Sequence, residues 1–374
     1  GFNGAFQLGA INYLHDNWKR LTGSEGQMKF DIIAGVSVGA INGSMLAMNK
    51  LGKLNQLWYE KIAKNGVSEI YTSDFIDTNH KGDQLKMKLD IDRLLKRFVP
   101  DFKIEMNVFK KLGMIFSKKY RQELMKEIFD DFAIQLRKGL PKFKSLGDNA
   151  PLKLKLQEHL DKDKLKGTEF LCGFVSLDTG HYHSTLHSEF SSNEDFVNGV
   201  LASACIPLVW EPVQQIKYLV NNNLKISKNN IDGGVNNVSP LGDVVKRINA
   251  DPDECEYQII IINCHSGSNI PQDFTDKNIF QIATRSLYEI AFTEIFNNDV
   301  KHFLRINDLV KQAKEWDEEI TLFDSGVGEI KAFDSIVIQP HPDMDLGHGL
   351  VANERLIHLR AEHGELMAQM ACER

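Results

Sequence analysis

From Ala5 onward, Phe6, Ile11 and Leu14 recur at near-helical spacing, and Trp18 follows before a Gly-Ser-Glu-Gly linker at 23–26, so the pattern predicts an amphipathic helix. Phe30 to Ala34 is a short apolar run rich in isoleucine and closed by Gly35, and 38–48 holds small or helix-favouring residues. Strand, sharp turn and helix is the expectation there. Farther along, Glu169 to Leu177 and His181 to His187 read as strands joined by a turn at Asp178-Thr179-Gly180. Asp195 to Ala204 reads as a helix stopped before Pro207. Lys217 to Ile231 reads as two strand-like runs around Asn221-Asn222-Asn223, with later strands at Tyr257 to Asn263 and Ser335 to Gln339. Helical patterns fall at Leu241 to Ile248, Asn278 to Asn298 and Asn353 to Met370. Strands alternating with helices predict an α/β fold whose mostly parallel central sheet is covered on both faces.

Composition narrows this little. The chain has 374 residues, 42% hydrophobic and 25% charged, which excludes a disordered or fibrous protein. The length suits two domains or one α/β domain with insertions. A net charge of -7 gives no reason to expect a nucleic-acid partner. Cys172, Cys205, Cys255, Cys264 and Cys372 are scattered without C-x-x-C spacing, so we expect reduced thiols and a cytoplasmic or peripheral-membrane location. No apolar run approaches the roughly 18 to 20 residues of a membrane-spanning helix. The chain opens at Gly1 already in the turn into a helix, which leads us to expect natural sequence upstream and leaves any signal peptide out of view.

The charge is unevenly placed. Residues 81–166 carry 22 Lys and Arg against 13 Asp and Glu. Helical patterns at Ile104 to Phe116 and Tyr120 to Leu136 mark the stretch as a basic helical insertion or lid within a single domain over 1–374. A solvated helical face and a surface for anionic lipid head groups both fit that pattern.

Chemistry concentrates in three places. Gly35-Val36-Ser37-Val38-Gly39 matches G-x-S-x-G between a predicted strand and a helix, the context in which a sharp turn exposes the serine hydroxyl and glycines relieve crowding. Gly1-Phe2-Asn3-Gly4 opens the first helix with backbone N–H groups able to approach an anion, or is an ordinary helix start. Asp232-Gly233-Gly234 puts a carboxylate at a strand end beside two glycines, where it serves as a base or merely turns the chain.

Together with Ala40-Ile41-Asn42, Asn236, Asn237, Pro240 and the segment Ala202-Ser203-Ala204-Cys205-Ile206-Pro207, these motifs resemble the patatin-like phospholipases. The resemblance leaves aside the basic insertion, the Asn-rich loop and the stretch from Lys311 to Lys331. It implies a three-layer α/β/α fold and a Ser–Asp dyad without a catalytic histidine. Ser37 would be the nucleophile, Asp232 the base, and the N–H groups around Gly1 and Phe2 the oxyanion hole, with Val38 N–H a further donor by elbow geometry. It implies a phospholipid or other lipid ester as substrate and neither metal nor organic cofactor, while the positive surplus of the insertion leads us to expect peripheral association with anionic membrane. Two departures stand out: fewer opening glycines than the family usually has, and Asn3 where it usually has Arg or Lys.

Three other readings stay open. The same dyad suits a neutral-lipid or short-chain esterase. Loss of the cation at Asn3 suits a weakly active module that binds lipid or protein. His341, His348, His358 and His363 follow Asp232 in the Ser…Asp…His order of α/β-hydrolases, although that fold usually builds several strands before its elbow. His181-x-His183 lacks a nearby carboxylate or cysteine partner for a metal.

Overall fold

The computed structural model describes residues 1–79, 81–86, 144–165, 167–251, 255–269, 271–277, 279–318, 320 and 331–373. The helical patterns expected at 104–116 and 120–136 lie outside them, as does most of the basic stretch.

The chain begins with helix α1 (Gly4–Asp16) and a short α2 (Trp18–Thr22), then strand β1 (Ile32–Val36) and α3 (Val38–Ala47). After α4 (Leu51–Asn55) the helix widens into a π segment at Gln56–Ile62. Then come α5 (Ala150–His159), β2 (Glu169–Ser176), β3 (Tyr182–Leu186) and α6 (Asn193–Ser203). Strands β4 (Val213–Val220) and β5 (Asn223–Asp232) form a hairpin, followed by α7 (Leu241–Asn249) and β6 (Gln258–Ile262). Helix α8 (Ile279–Thr284) runs through a second π segment, Arg285–Ala291, into α9 (Phe292–Glu315). Strand β7 (Asp334–Ile338) and α10 (Glu354–Cys372) complete the order.

The strands are mixed rather than mostly parallel. In the five-stranded sheet, β1 pairs with β2 in parallel, while β3 and β5 both pair with β2 antiparallel and β4 pairs antiparallel with β5. Tight connections decide this: the turn after β2 and the Asn221-Asn222 turn, whose two residues both take positive φ, leave no room for a crossover helix. β6 and β7 form a separate parallel pair.

Apolar layers cover both faces of β1. On one side Ile33 packs with α3, β2 and α6 in the main core, where Phe170, Phe174, Phe190 and Phe196 form a contiguous ring cluster. On the other, Ile32 joins Leu241 and Ile248 of α7, Ile259 and Ile261 of β6, and Phe296 and Val300 of α9. Leu152 and Leu156 of α5 are buried in the main core, so the described end of the basic stretch is part of that packing.

The helix that carries the Gly-rich opening is pinned from behind. A β-carbon on Gly9 of α1 would lie 1.8 Å from the Ala361 carbonyl oxygen, and one on Gly364 of α10 would lie 2.0 Å from that of Phe6. The two glycines let α1 and α10 touch backbone to backbone, which fixes where residues 1–4 stand.

Candidate active site

Ser37 takes φ 56° and ψ −129°, outside the regions a non-glycine residue occupies without strain. The strand on one side and the helix on the other impose that conformation. A β-carbon on Gly35 would stand 2.3 Å from the Gly39 carbonyl oxygen, so the turn closes only over glycine there. Gly39 is different, since its β-carbon would meet nothing nearer than Gln7 Nε2 at 3.6 Å. Crowding at the elbow is therefore one-sided. Val38 opens α3, and its N–H has no carbonyl within its own helix to bind, which keeps it a candidate oxyanion donor.

Asp232 arrives from another strand. Val36 is level with Gly173 on β2, and Asp232 is level with the adjacent Phe174, so the register of three strands brings elbow and carboxylate side by side. Asp232 is fully buried, and burial pushes its pKa up to about 6 against the opposing pull of the Gly234 N–H and the Ser37 hydroxyl. Oδ1 accepts the Gly234 N–H at 2.8 Å, while Oδ2 is buried without a hydrogen-bond partner among the described residues. The Ser37 hydroxyl is thus near enough to favour the ionised form without reaching hydrogen-bond geometry. A β-carbon on Gly233 would lie 2.6 Å from the Gly173 carbonyl oxygen, so this strand end also depends on glycine for its close approach.

The segment from Ala202 to Pro207 ties the two together. Ser203, fully buried at the end of α6, accepts the Ser37 N–H through its hydroxyl at 2.9 Å. Two residues on, the Cys205 carbonyl accepts the Asp232 N–H at 2.9 Å. This segment thus fixes the backbone of both candidate reactive residues. Asn42 does the same between elbow and opening. Its Nδ2 donates to the Gly4 carbonyl at 3.0 Å and its Oδ1 accepts the Trp58 indole N–H at 3.0 Å. Neither role has a signature in residue spacing, because both partners are distant in sequence.

The opening itself is less free than expected. Phe2 N–H donates to the Gly349 carbonyl at 2.6 Å, so in this conformation one candidate oxyanion donor is occupied. Gly1 and Asn3 both line the cavity in front of Ser37, and Asn3 Oδ1 is buried without a hydrogen-bond partner among the described residues. The loop that supplies Gly349 is held by Arg360, fully buried, which donates to the carbonyls of Leu346, Val351 and His348, and by the Tyr71 hydroxyl bonded to the Leu350 carbonyl at 2.9 Å.

That cavity encloses about 600 Å³. Near Ser37 its wall includes Gly234, Phe292 and Leu350, and from there it runs between β1 and β6 along the length of both. Among the described residues β1 pairs with β2 alone and β6 with β7 alone, so the two strand edges that face this deeper part carry no ladder bonds to each other. Apolar side chains of both strands, among them Ile33, Ile260 and Ile262, line this part.

Of the C-terminal histidines, His348 lines the cavity and His341, His358 and His363 do not. His348 is spoken for by its own loop: Nδ1 accepts the Leu350 N–H at 3.1 Å, and burial pushes its pKa down to about 4. His363 accepts the His341 N–H and packs beside Phe6, and His358 stacks on Tyr59. His265, unremarked in the sequence, also faces the cavity, with its pKa pushed down by burial to about 4. His183 stacks on Phe174, and no cluster of three potential metal ligands occurs among the described residues.

No helix among the described residues is long and apolar enough to cross a membrane. Comparison with known proteins now adds to the geometry. No curated protein sequence matches the chain. Among solved structures, the crystal structure of VipD from Legionella pneumophila is similar, with 11% identity and a TM-score of 0.38; the match covers 100% of this chain, which spans 65% of the length of that one. The sequence profile of the patatin-like phospholipases matches residues 1–245, a span that contains the Gly-rich opening, the elbow, the segment at Ser203 and Asp232. The chain belongs to the patatin-like phospholipase family.

Proposed function

We propose that the chain is a metal-free serine hydrolase of phospholipid or lysophospholipid esters, working through a Ser37–Asp232 dyad on a three-layer α/β/α scaffold. The observation that carries this reading is the buried Asp232 carboxylate, with one oxygen held by Gly234 N–H and the other unpartnered beside the strained Ser37 turn. A carboxylate held near pH 6 by burial accepts a proton far more readily than one in water, yet is mostly ionised at neutral pH. Ser37 attacks the ester carbonyl as its hydroxyl proton passes to Asp232 Oδ2. The leaving alcohol takes that proton, and water then cleaves the acyl-enzyme with Asp232 again as base. The tetrahedral oxyanion is met by Val38 N–H at the positive end of α3, with donors from the opening around Gly1 and Phe2 once Gly349 releases Phe2.

The test is fluorophosphonate labelling of the chain beside Ser37→Ala and Asp232→Asn, followed by a panel of phospholipid, lysophospholipid, neutral-lipid and short-chain esters. Labelling lost in both variants, with phospholipid turnover in the parent, supports the dyad. Labelling absent from the parent sinks it and favours a binding module, which the missing cation at Asn3 would suit. A second base has one observation in its favour, since His348 shares the cavity. If His348→Gln matched the loss in Ser37→Ala, the proton would belong to the imidazole.

A further inference from the structure

The β4–β5 hairpin has an outward face that its inward face does not explain. Inside, Ile216 and Ser227 oppose each other and are buried, and Tyr218 bridges to Phe190. An antiparallel ribbon packed on one side ordinarily turns polar residues to water on the other. Here the outward cross-strand pairs are Gln215 with Lys228, Lys217 with Ile226, and Leu219 with Leu224. Leu224 is 56% exposed and Ile226 50%. Lys217 and Lys228 are exposed on the same face, and neither makes an ion pair with another described residue. On a chain of net charge -7, two unpaired lysines beside two bare aliphatic side chains are a local reversal of sign.

Strand direction puts this face where it matters. β1 and β2 run together and β5 runs against them, so the path back from Asp232 to Asn223 points the way β1 delivers Ser37. β5 is ten residues long, which carries the tip roughly 30 Å from Asp232 on the side where the elbow opens.

We propose that the outward face of the β4–β5 hairpin docks the protein on an anionic phospholipid bilayer, with Leu224 and Ile226 entering the interface and Lys217 and Lys228 meeting the head groups. The choice of a bilayer as occupant rests on the lipid substrate proposed above. It is favoured over a protein partner by composition, because protein interfaces are enriched in aromatic residues and depleted of lysine, whereas aliphatic residues bordered by lysines suit a membrane surface.

The experiment is vesicle co-sedimentation in the Ser37→Ala background, so that hydrolysis does not alter the vesicles. Phosphatidylcholine vesicles are compared with vesicles in which phosphatidylserine replaces part of the phosphatidylcholine, at low and high salt. Binding should favour the phosphatidylserine vesicles and weaken with salt. Leu224→Asp with Ile226→Asp should lower it at least about tenfold, and Lys217→Gln with Lys228→Gln should abolish the phosphatidylserine preference. With Ser37 restored, both sets should hydrolyse a soluble short-chain ester within about twofold of the parent. Unchanged vesicle binding in the variants overturns the proposal, as does a parent that binds neither vesicle or a hairpin variant that breaks an oligomer and leaves vesicle binding intact. If the aspartate pair misfolds, the lysine set decides alone, and a retained phosphatidylserine preference there also overturns it. A chain that docks as expected but hydrolyses no ester removes the proposed enzyme and leaves the docking surface standing.

Discussion

The two ends of β5 belong to one strand and have opposite physics. At its carboxyl end, Asn230, Ile231 and Asp232 are buried, and glycines on both sides let backbones close to within van der Waals reach. At its amino end, Asn223 to Ile226 are exposed and paired with β4 alone. The same strand therefore holds a carboxylate shifted toward neutrality at one end and exposed Leu224, Lys225 and Ile226 at the other. Burial, rather than residue type, separates a candidate base from a surface charge.

The sharpest way to break this contrast is at Asp232. Asp232→Asn should cut ester turnover by several orders of magnitude, as should Ser37→Ala, since an amide accepts no proton at neutral pH. In the parent, kcat/KM should fall about tenfold per pH unit below a midpoint near the raised pKa of about 6. A flat profile from pH 5 to 7, measured on a soluble ester, would detach Asp232 from the chemistry.

The stability of the same variant should move the other way. The folded-state pKa lies above the ordinary 3.8, so the fold favours the protonated acid. Its contribution is intact below about 3.8 and is lost as pH rises through about 6, leaving a buried charge that costs on the order of 3 kcal/mol at neutral pH. Asp232→Asn should therefore be more stable than the parent at pH 7.5, with the gap closing by pH 4. Denaturant unfolding at the two pH values measures it, and a gap that widened on acidification would contradict the burial assigned to this carboxyl.

Gly35→Ala tests the crowding at the elbow and should cost about 3–5 kcal/mol, because its β-carbon has backbone rather than a movable side chain to displace. Gly39→Ala, four residues on with room for a methyl group, should cost well under half as much. Ser203→Ala should cost about 1–2 kcal/mol by orphaning the Ser37 N–H, and should lower turnover about ten- to hundredfold by loosening the nucleophile. At the far end of β5, Leu224→Asp with Ile226→Asp should stay within about 0.5 kcal/mol of the parent in the same unfolding assay.

Much of this was legible beforehand. The strand, turn and helix around Ser37, the turn at Asn221-Asn222, the helix stopping before Pro207 and the isoleucine strand at Gln258–Ile262 all follow from period, β-branching and breakers, which act within a few residues. Family membership was legible too, because the Gly-rich opening, the elbow and Asp232 keep their order along the chain. The π segments at Gln56–Ile62 and Arg285–Ala291 left no trace in the pattern, since a five-residue repeat over two turns resembles an ordinary helix.

Sequence alone thus determined the candidate reactive residues and the local turns that present them. Tertiary structure decided everything that depends on separation in space. Strand direction was settled by short connections and pairing rather than by apolar runs, which read the same in either direction. Ser203 and Cys205 became supports for Ser37 and Asp232 because α6 ends between β1 and β5. The pKa of Asp232 came from a shell of atoms supplied by several elements, and no spacing of residues encodes how much water such a shell excludes.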